Sequence, residues 1–593
     1  MKNKSLLFLL STGLILSACN GGDEDFEEGA DPAEDGTETE TDGENGETAG
    51  EPQEGGNINL AMYSAPDHQF NPIYYQSSYD NNILEFTHEK LFEQNEDLEF
   101  YGELAEEYEL NDEQTEMTVQ LREDVVWHDG EPFTADDVVF TYTAIADPGY
   151  TGVRTSYADS LLGYDEFKAG DTEEFEGVEA VDEHTVVFRW EEPTVTPEYD
   201  ASFFIIPEHV FGDVPADEME QHSASSNPGE IIGTGPFEFT AAVEGDRYEL
   251  EAFEDYWKGR PHLDSVTWRV VDQSVMTGLL DNGEIHMVAE PDGIVPNDVE
   301  SVEALGNVNL YQPQDLGYQY MGLKLAHRPS EDVEAGVVDP DNFIINEKLE
   351  DKRVRQALVY GINREAMIEG LLHGSGEVLH APFPEASWAY DEDAPVKYEY
   401  DPDQARALLE DAGFEDVTGD GFYEDPDGEE YVLNLEYPTG NEARENAALV
   451  IGENLQDIGI NVNVQQPREF SAHADRVEDD ERSMDLYLMG WSLASGDPDP
   501  AVYFQSDVAY NYTRWNDEHS DELIAAGVQA PEAFDEEYRM EVYAEWAEHV
   551  SEEVPMVFLW SPINNFAYVD SLQGVTEHPA NMYKDTHEWY LAE

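Results

Sequence analysis

The sequence predicts an α/β fold, mixed sheets under helical cover, and three observations lead there. Strand periods and helix periods alternate from residue 57 to the C-terminus. After the N-terminus, no apolar run approaches the ~20 residues needed to cross a bilayer. The 593-residue chain holds 32 Tyr, 26 Phe and 10 Trp, ample apolar material for two or three packed domains.

Residues 58–62 read as a strand and 82–92 as a helix. Period-two alternation marks strands at 117–121 and Thr185–Arg189. Residues 353–360 and 364–372 repeat apolar positions at helical spacing. A helix over 403–412 stops at Gly413, since glycine readily takes the left-handed backbone found at helix C-termini. A strand over 431–437, a long helix over 442–458 and a strand over 460–464 follow. That order calls for layers packed around a shared core.

The N-terminus has its own chemistry. Lys2 and Lys4 precede an apolar run over 6–16, then Leu16-Ser17-Ala18-Cys19. The run is too short to span a bilayer but has the length of a signal-peptide core. Cys19 is the only cysteine, so no intrachain disulfide can form. Small residues directly before it resemble a bacterial lipobox. The resemblance implies a signal peptide over 1–18, a diacylglyceryl group on Cys19, and a lipid anchor on the extracytoplasmic face of the cell membrane. Residues 20–56 contain no Lys or Arg and few apolar side chains. Such a segment cannot offset its ordering entropy, so 19–56 is expected to be a lipidated, acidic, disordered tether.

The whole chain carries a formal charge of −108, from 135 acids against 27 Lys and Arg. Nucleic acid is excluded as a partner, because phosphate binding needs clustered cations. The acids are spread along the chain rather than gathered for a cationic ligand. A halophilic acidic surface is therefore expected, tolerable where salt screens the repulsion.

Catalytic signatures are absent from the sequence. There is no G-x-x-x-x-G-K-[ST], no H-E-x-x-H, no G-x-S-x-G and no cysteine nucleophile. No enzyme activity, cofactor or metal is expected. Asp416-Val417-Thr418-Gly419-Asp420-Gly421 with Asp427 half-resembles a calcium loop, but Thr418 stands where an acid belongs, and a strand follows instead of a helix.

Six motifs then occur in a fixed order. The first is the run 121–138, where Asp129-Gly130 makes a tight turn and Thr134 caps a helix with Asp136 and Asp137 in its first turn. Gly233-Thr234-Gly235-Pro236-Phe237 and Tyr256-Trp257-Lys258-Gly259 follow. Asp351-Lys352-Arg353-Val354-Arg355 with Ile362-Asn363-Arg364, then Asp401-Pro402-Asp403, lead to Gly490-Trp491-Ser492 with Asp497-Pro498-Asp499-Pro500. Together they resemble bacterial extracellular solute-binding proteins of the peptide/nickel type, with the oligopeptide-binding lipoproteins of ABC importers as the best match.

The resemblance implies a two-lobed, type II periplasmic-binding-protein-like fold with an inserted domain. Lobe one is expected over 57–93, 233–322 and 558–593, the inserted domain over 94–232 and lobe two over 323–557. It implies an extended oligopeptide held between closing lobes and delivered to ABC permease subunits by a monomer. The alternative is the same role with another solute: a cello-oligosaccharide, nickel chelate or opine. Ser78, Tyr79 and Asp80 would face the ligand from lobe one, and Gly490, Trp491 and Ser492 from lobe two. Relatives place an acid three residues after the Trp to meet the peptide ammonium. Here Ala494 stands there, so Asp497 becomes the candidate. Tyr318, Tyr320 and Trp388 are candidate walls, and Arg476 a candidate for a peptide carboxylate.

Overall fold

The computed structural model describes residues 52–593 except Asp97, Ser492, Ala494 and Glu593. The expected signal peptide, Cys19, the expected tether up to Glu51, and Ser492 lie outside the described residues.

Two sheets organise the body. The first has seven strands, in the order Val308–Tyr311, Phe566–Val569, Met287–Val288, Asn57–Met62, Ser265–Val270, Arg247–Ala252, Phe237–Val243. The second has six, in the order Gly376–Glu377, Met556–Pro562, Tyr318–Leu323, Leu486–Trp491, Val432–Glu436, Asn461–Val464. Each mixes parallel and antiparallel pairs, as the alternating strand and helix order requires. A separate four-stranded antiparallel sheet, Ala105–Leu110, Glu116–Leu121, Thr185–Arg189 and Val178–Asp182, carries the inserted segment. This is the two-lobed α/β, type II fold with an extra domain.

Strand pairing moves the lobe boundaries expected at 322/323 and 557/558. Both fall inside strands of the six-stranded sheet, because Tyr318–Leu323 and Met556–Pro562 are direct neighbours there. The chain crosses between sheets at 312–317 and again at 563–565. The two crossings are bonded to each other. The Asp315 amide donates to the Pro562 carbonyl at 2.9 Å, Asn564 donates to Pro313 at 2.9 Å, and Gln312 reaches Asn565 at 2.7 Å. Paired crossings of this kind form a hinge that absorbs lobe motion in few residues.

Both ends of the described body belong to the first lobe. The Gly55 amide donates to His262 at 2.7 Å, Gly56 donates to Asp264 at 3.2 Å, and Asn57–Met62 continues in parallel with Ser265–Val270. At the other end, Tyr590–Leu591 pairs with Leu572–Gln573.

Most expected elements appear within a few residues. The helix expected at 403–412 runs Pro402–Asp411 with Asp401 capping its first amides, and Gly413 sits at φ 98°. The helix expected at 82–92 is instead Ser78–Thr87. The Ser77 side chain accepts from the Tyr79 amide and starts it early. His88 turns extended, and Phe92–Gln94 becomes a strand.

The motifs mostly serve as joints. His128 takes the Gly233 amide on Nδ1 at 3.2 Å, and its Nε2 meets the Gly235 carbonyl at 2.9 Å, fastening the inserted domain to lobe one. Tyr256 and Trp257 donate to Glu89 at 2.7 and 3.0 Å, and Lys258 pairs with Glu103. Buried Arg364 donates to three carbonyls, those of Leu379, Tyr398 and Phe558. In the half-match to a calcium loop, Asp416 spends its carboxylate on the amides of Gly419 and Gly421. Among the described residues, no group of three or more His, Cys, Asp or Glu is placed to hold a metal ion, and no helix is long and apolar enough to cross a membrane.

Candidate ligand-binding cleft

Where the two lobes and the inserted domain meet, three cavities surround Tyr199. One of about 190 Å³ lies between Tyr75, Lys90, Glu93 and Ser495. A second, about 590 Å³, is lined by Trp388, Gly496, Asp497 and Arg539 on lobe two and by Phe100 and residues 195–199 opposite. A third, about 540 Å³, is lined by Trp190, Asp200, Asp497 and Asp499. Tyr199 borders all three. The two larger ones together exceed the ~300–1,000 Å³ of a pocket for a drug-sized molecule.

The lobes touch at this point. Gln94, beside the inserted domain, donates to the Ser495 carbonyl at 2.9 Å, and the Ser495 hydroxyl donates back to the Gln94 side-chain oxygen at 2.6 Å. Next door, Gly496 lies so close to Tyr199 that an added Cβ would sit 2.1 Å from the ring. Gly496→Ala is therefore expected to hold the cleft ajar. Overpacking of this kind costs about 1–3 kcal/mol, so ligand affinity should fall roughly 5- to 150-fold with little change in melting temperature. Calorimetry checks the affinity and small-angle scattering the shape; unchanged binding would mean that Tyr199 yields freely.

Trp491 ends the central strand of lobe two inside a cage of tyrosines. Its ring lies 4.3 Å from Tyr503, 5.5 Å from Tyr512 and 6.1 Å from Tyr320, centroid to centroid. Such pairs contribute about 0.5–1.5 kcal/mol each beyond burial. Gly490 is required by a neighbour: a Cβ there would meet the Gln319 amide nitrogen at 2.4 Å, and Gln319 is held by Arg444 at 2.9 Å.

Several sequence-level candidates take other roles. Tyr318 and Tyr320 share one face of their strand, and each is 1% exposed in the aromatic core behind Trp491. Neither lines any of the three cavities, and neither does Trp491. Arg476 donates twice to Glu436, at 2.9 and 2.7 Å, and also pairs with Glu481, so its fork is filled by structural acids. Asp497 sits at the cleft, but Arg539 lies 2.7 Å from it. Burial pushes the Asp497 carboxyl up and Arg539 draws it back. Its charge is thus already met, which removes the reason for giving it the ligand ammonium. Asp499 is pushed up to about 6 by burial and by Asp497, with the Ala501 amide and Arg539 opposing.

In lobe one, Ser78 is exposed at the helix start. Tyr79 donates to Asp292 at 2.8 Å. Asp80 is fully buried, accepts from the Gln69 amide, and is pushed by burial to about 7. These residues secure the segment, while Tyr75, Asn81 and Glu85 on either side of it line the cavity. Trp388 does line the 590 Å³ cavity, with the Arg539 guanidinium 4.9 Å from its ring centre. Sequence reasoning missed Glu93, Gln94, Tyr199 and Arg539. No local pattern marks them, since each matters only through a partner distant in sequence.

Two lobes joined by paired crossings, with cavities where they meet the inserted domain, are the architecture of a solute-binding protein. A profile described as bacterial extracellular solute-binding proteins, family 5 Middle, matches residues 99–513. The chain belongs to that family. It is 29% identical to the oligopeptide-binding protein AppA of Bacillus subtilis (strain 168), over 100% of this chain and 99% of that protein. It is 26% identical to the dipeptide-binding protein of Escherichia coli (strain K12), over 77% and 80% of the two chains. The structure of Bacillus subtilis AppA in complex with a nonapeptide matches with a TM-score of 0.68, covering 92% of this chain and 100% of that one.

Proposed function

We propose that this protein is the peptide receptor of an ABC importer, anchored through lipid on Cys19 and delivering its ligand to membrane permease subunits. The ligand is an extended oligopeptide lying between residues 75–81 and the 490–499 loop. The observation that carries this reading is the run of cavities around Tyr199, the smallest between lobe one and the inserted domain beside Ser495 and the two larger between the inserted domain and lobe two. A space of that extent suits a chain several residues long. Its walls mix aromatic rings with charged side chains, most of them acids, and a peptide added as a strand is held by its main-chain hydrogen bonds whatever its side chains. Full-length similarity to an oligopeptide-binding protein supports the same class. A surface this acidic suits a saline exterior.

Denaturing the purified protein and analysing what it releases by mass spectrometry tests the reading. Peptides of mixed sequence are expected. Release of an oligosaccharide or a metal chelate, with no peptide, would keep the fold and overturn the substrate class.

A further inference from the structure

The inserted domain and lobe two meet across the cleft with charge of one sign. In the 590 Å³ cavity, Glu99 and Glu198 of the inserted domain share the lining with Asp497 and Glu536 of lobe two. Its one lining cation, Arg539, is bonded to Asp497 at 2.8 Å and also donates to the Gly527 carbonyl and the Tyr543 hydroxyl. In the 540 Å³ cavity, Glu191 and Glu192 share the lining with Asp499, and no Lys or Arg is among the described lining residues. Shutting the cleft brings these like charges together, which opposes closure by an amount that salt controls. The bonds that hold the lobes shut are of another kind. Gln94, 9% exposed, uses its whole amide: Nε2 donates to the Leu98 and Ser495 carbonyls at 2.8 and 2.9 Å, and Oε1 accepts from the Ser495 hydroxyl at 2.6 Å. Beside it, the Gly496 backbone lies against the Tyr199 ring. None of these groups carries a formal charge, so screening leaves them almost unchanged. No ligand is needed to make them.

We infer that closure of this protein is gated by salt. A neutral latch, Gln94 with Ser495, shuts the ligand-free lobes once ions screen the acidic walls of the cleft; at low salt, repulsion between those walls holds the lobes apart. The inference rests on the two-lobed fold and not on the peptide reading, because no ligand takes part. At high salt a ligand then meets a receptor that already visits its closed shape, and the latch contributes the same share of the closing free energy whatever the ligand is. The effect is a change of shape between two folded forms, separate from any gain in resistance to unfolding.

Small-angle scattering on the ligand-free protein, dialysed into about 0.1 M and about 1 M NaCl, where the Debye length is ~10 and ~3 Å, measures the ratio of closed to open molecules. For wild type that ratio should rise roughly 5- to 30-fold with salt, the worth of screening one or two like-charge pairs. Gln94→Ala loses both bonds to Ser495 and should lower the ratio at the higher salt roughly 5- to 150-fold. Glu198→Gln combined with Glu536→Gln should be closed already at the lower salt. Gln94 also holds Leu98, so Ser495→Ala is the second probe and decides the matter if Gln94→Ala fails to fold. It keeps the Leu98 bond, loses one latch bond and should lower the ratio roughly 2- to 12-fold, while Ser495→Thr restores it. A wild-type ratio that does not move with salt overturns the inference. So does a shrinkage that the latch variants and the double glutamine variant share equally with wild type, which would be general compaction. In either case the peptide reading is untouched and is decided by the release experiment above.

Discussion

Asp480→Asn is expected to be the most damaging single substitution in lobe two, lowering stability by ~3–5 kcal/mol. The Asp480 side chain is fully buried and meets three cations. Lys324 is in direct contact, Arg328 lies 2.6 Å away and Arg514 2.9 Å away. Burial alone would raise the Asp480 carboxyl, but Lys324 and Arg514 hold it below its ordinary value. Lys324 is itself pushed down to about 8, by burial first, with Asp480 opposing. An amide at 480 leaves three buried cations without a counter-charge, and Lys324 should then surrender its proton near neutral pH. The damage reaches the cleft, because Lys324 also donates at 2.7 Å to the carbonyl of Tyr512, which stacks on Trp491. Calorimetric melting should show lobe two unfolding several degrees earlier, with altered Trp fluorescence. A melting curve within a degree of wild type would mean that water replaces the carboxylate. The sign for pH is definite. Asp480's carboxyl is held low, so its contribution is present above the ordinary carboxylate value of ~4 and is lost as pH falls from there through the depressed value.

Melting temperature should also climb steeply between low salt and about 2 M NaCl, as the Debye length shrinks from ~10 Å at 0.1 M to ~3 Å at 1 M. The cations are largely spent already. Arg260 alone faces Glu54, Glu254 and Asp264, and Lys352 faces Glu552 and Glu553. With 135 acids against 27 Lys and Arg, most carboxylates cannot have a cation of their own, and repulsion between them loads the folded state. Screening is the one remedy the sequence leaves. Calorimetry across the salt series checks it; a flat or falling curve would show the acids to be compensated by bound divalent ions.

Legibility in the sequence followed distance along the chain. Elements set by local chemistry were readable: Asp401 and Gly413 bracket their helix as expected, and the Gly490-Trp491 pair ends a strand of the six-stranded sheet. The two-lobed fold was legible only through the family resemblance the motifs carry, and some of those motifs join domains, as His128 does with Gly233 and Gly235. The cleft itself was hidden. Asp497 looked like a free acid until Arg539 arrived from 42 residues away. Gln94 and Ser495 are 401 residues apart. Tyr318 and Tyr320 alternate as cleft residues would, yet burial behind Trp491 is decided by what packs over the strand, which a period of two does not encode.

The placement of both ends of the described body on the first lobe has a mechanical consequence. Gly55 and Gly56 are pinned to His262 and Asp264, and the backbone passes from there straight into the middle of the seven-stranded sheet. Any tension arriving through the N-terminus is borne by that sheet in shear along parallel strands. None of it runs through residues 312–317 or 563–565. The second lobe is a free load on an unstressed pivot, so the work of opening and shutting the cleft should be independent of how hard, or from which direction, the protein is pulled.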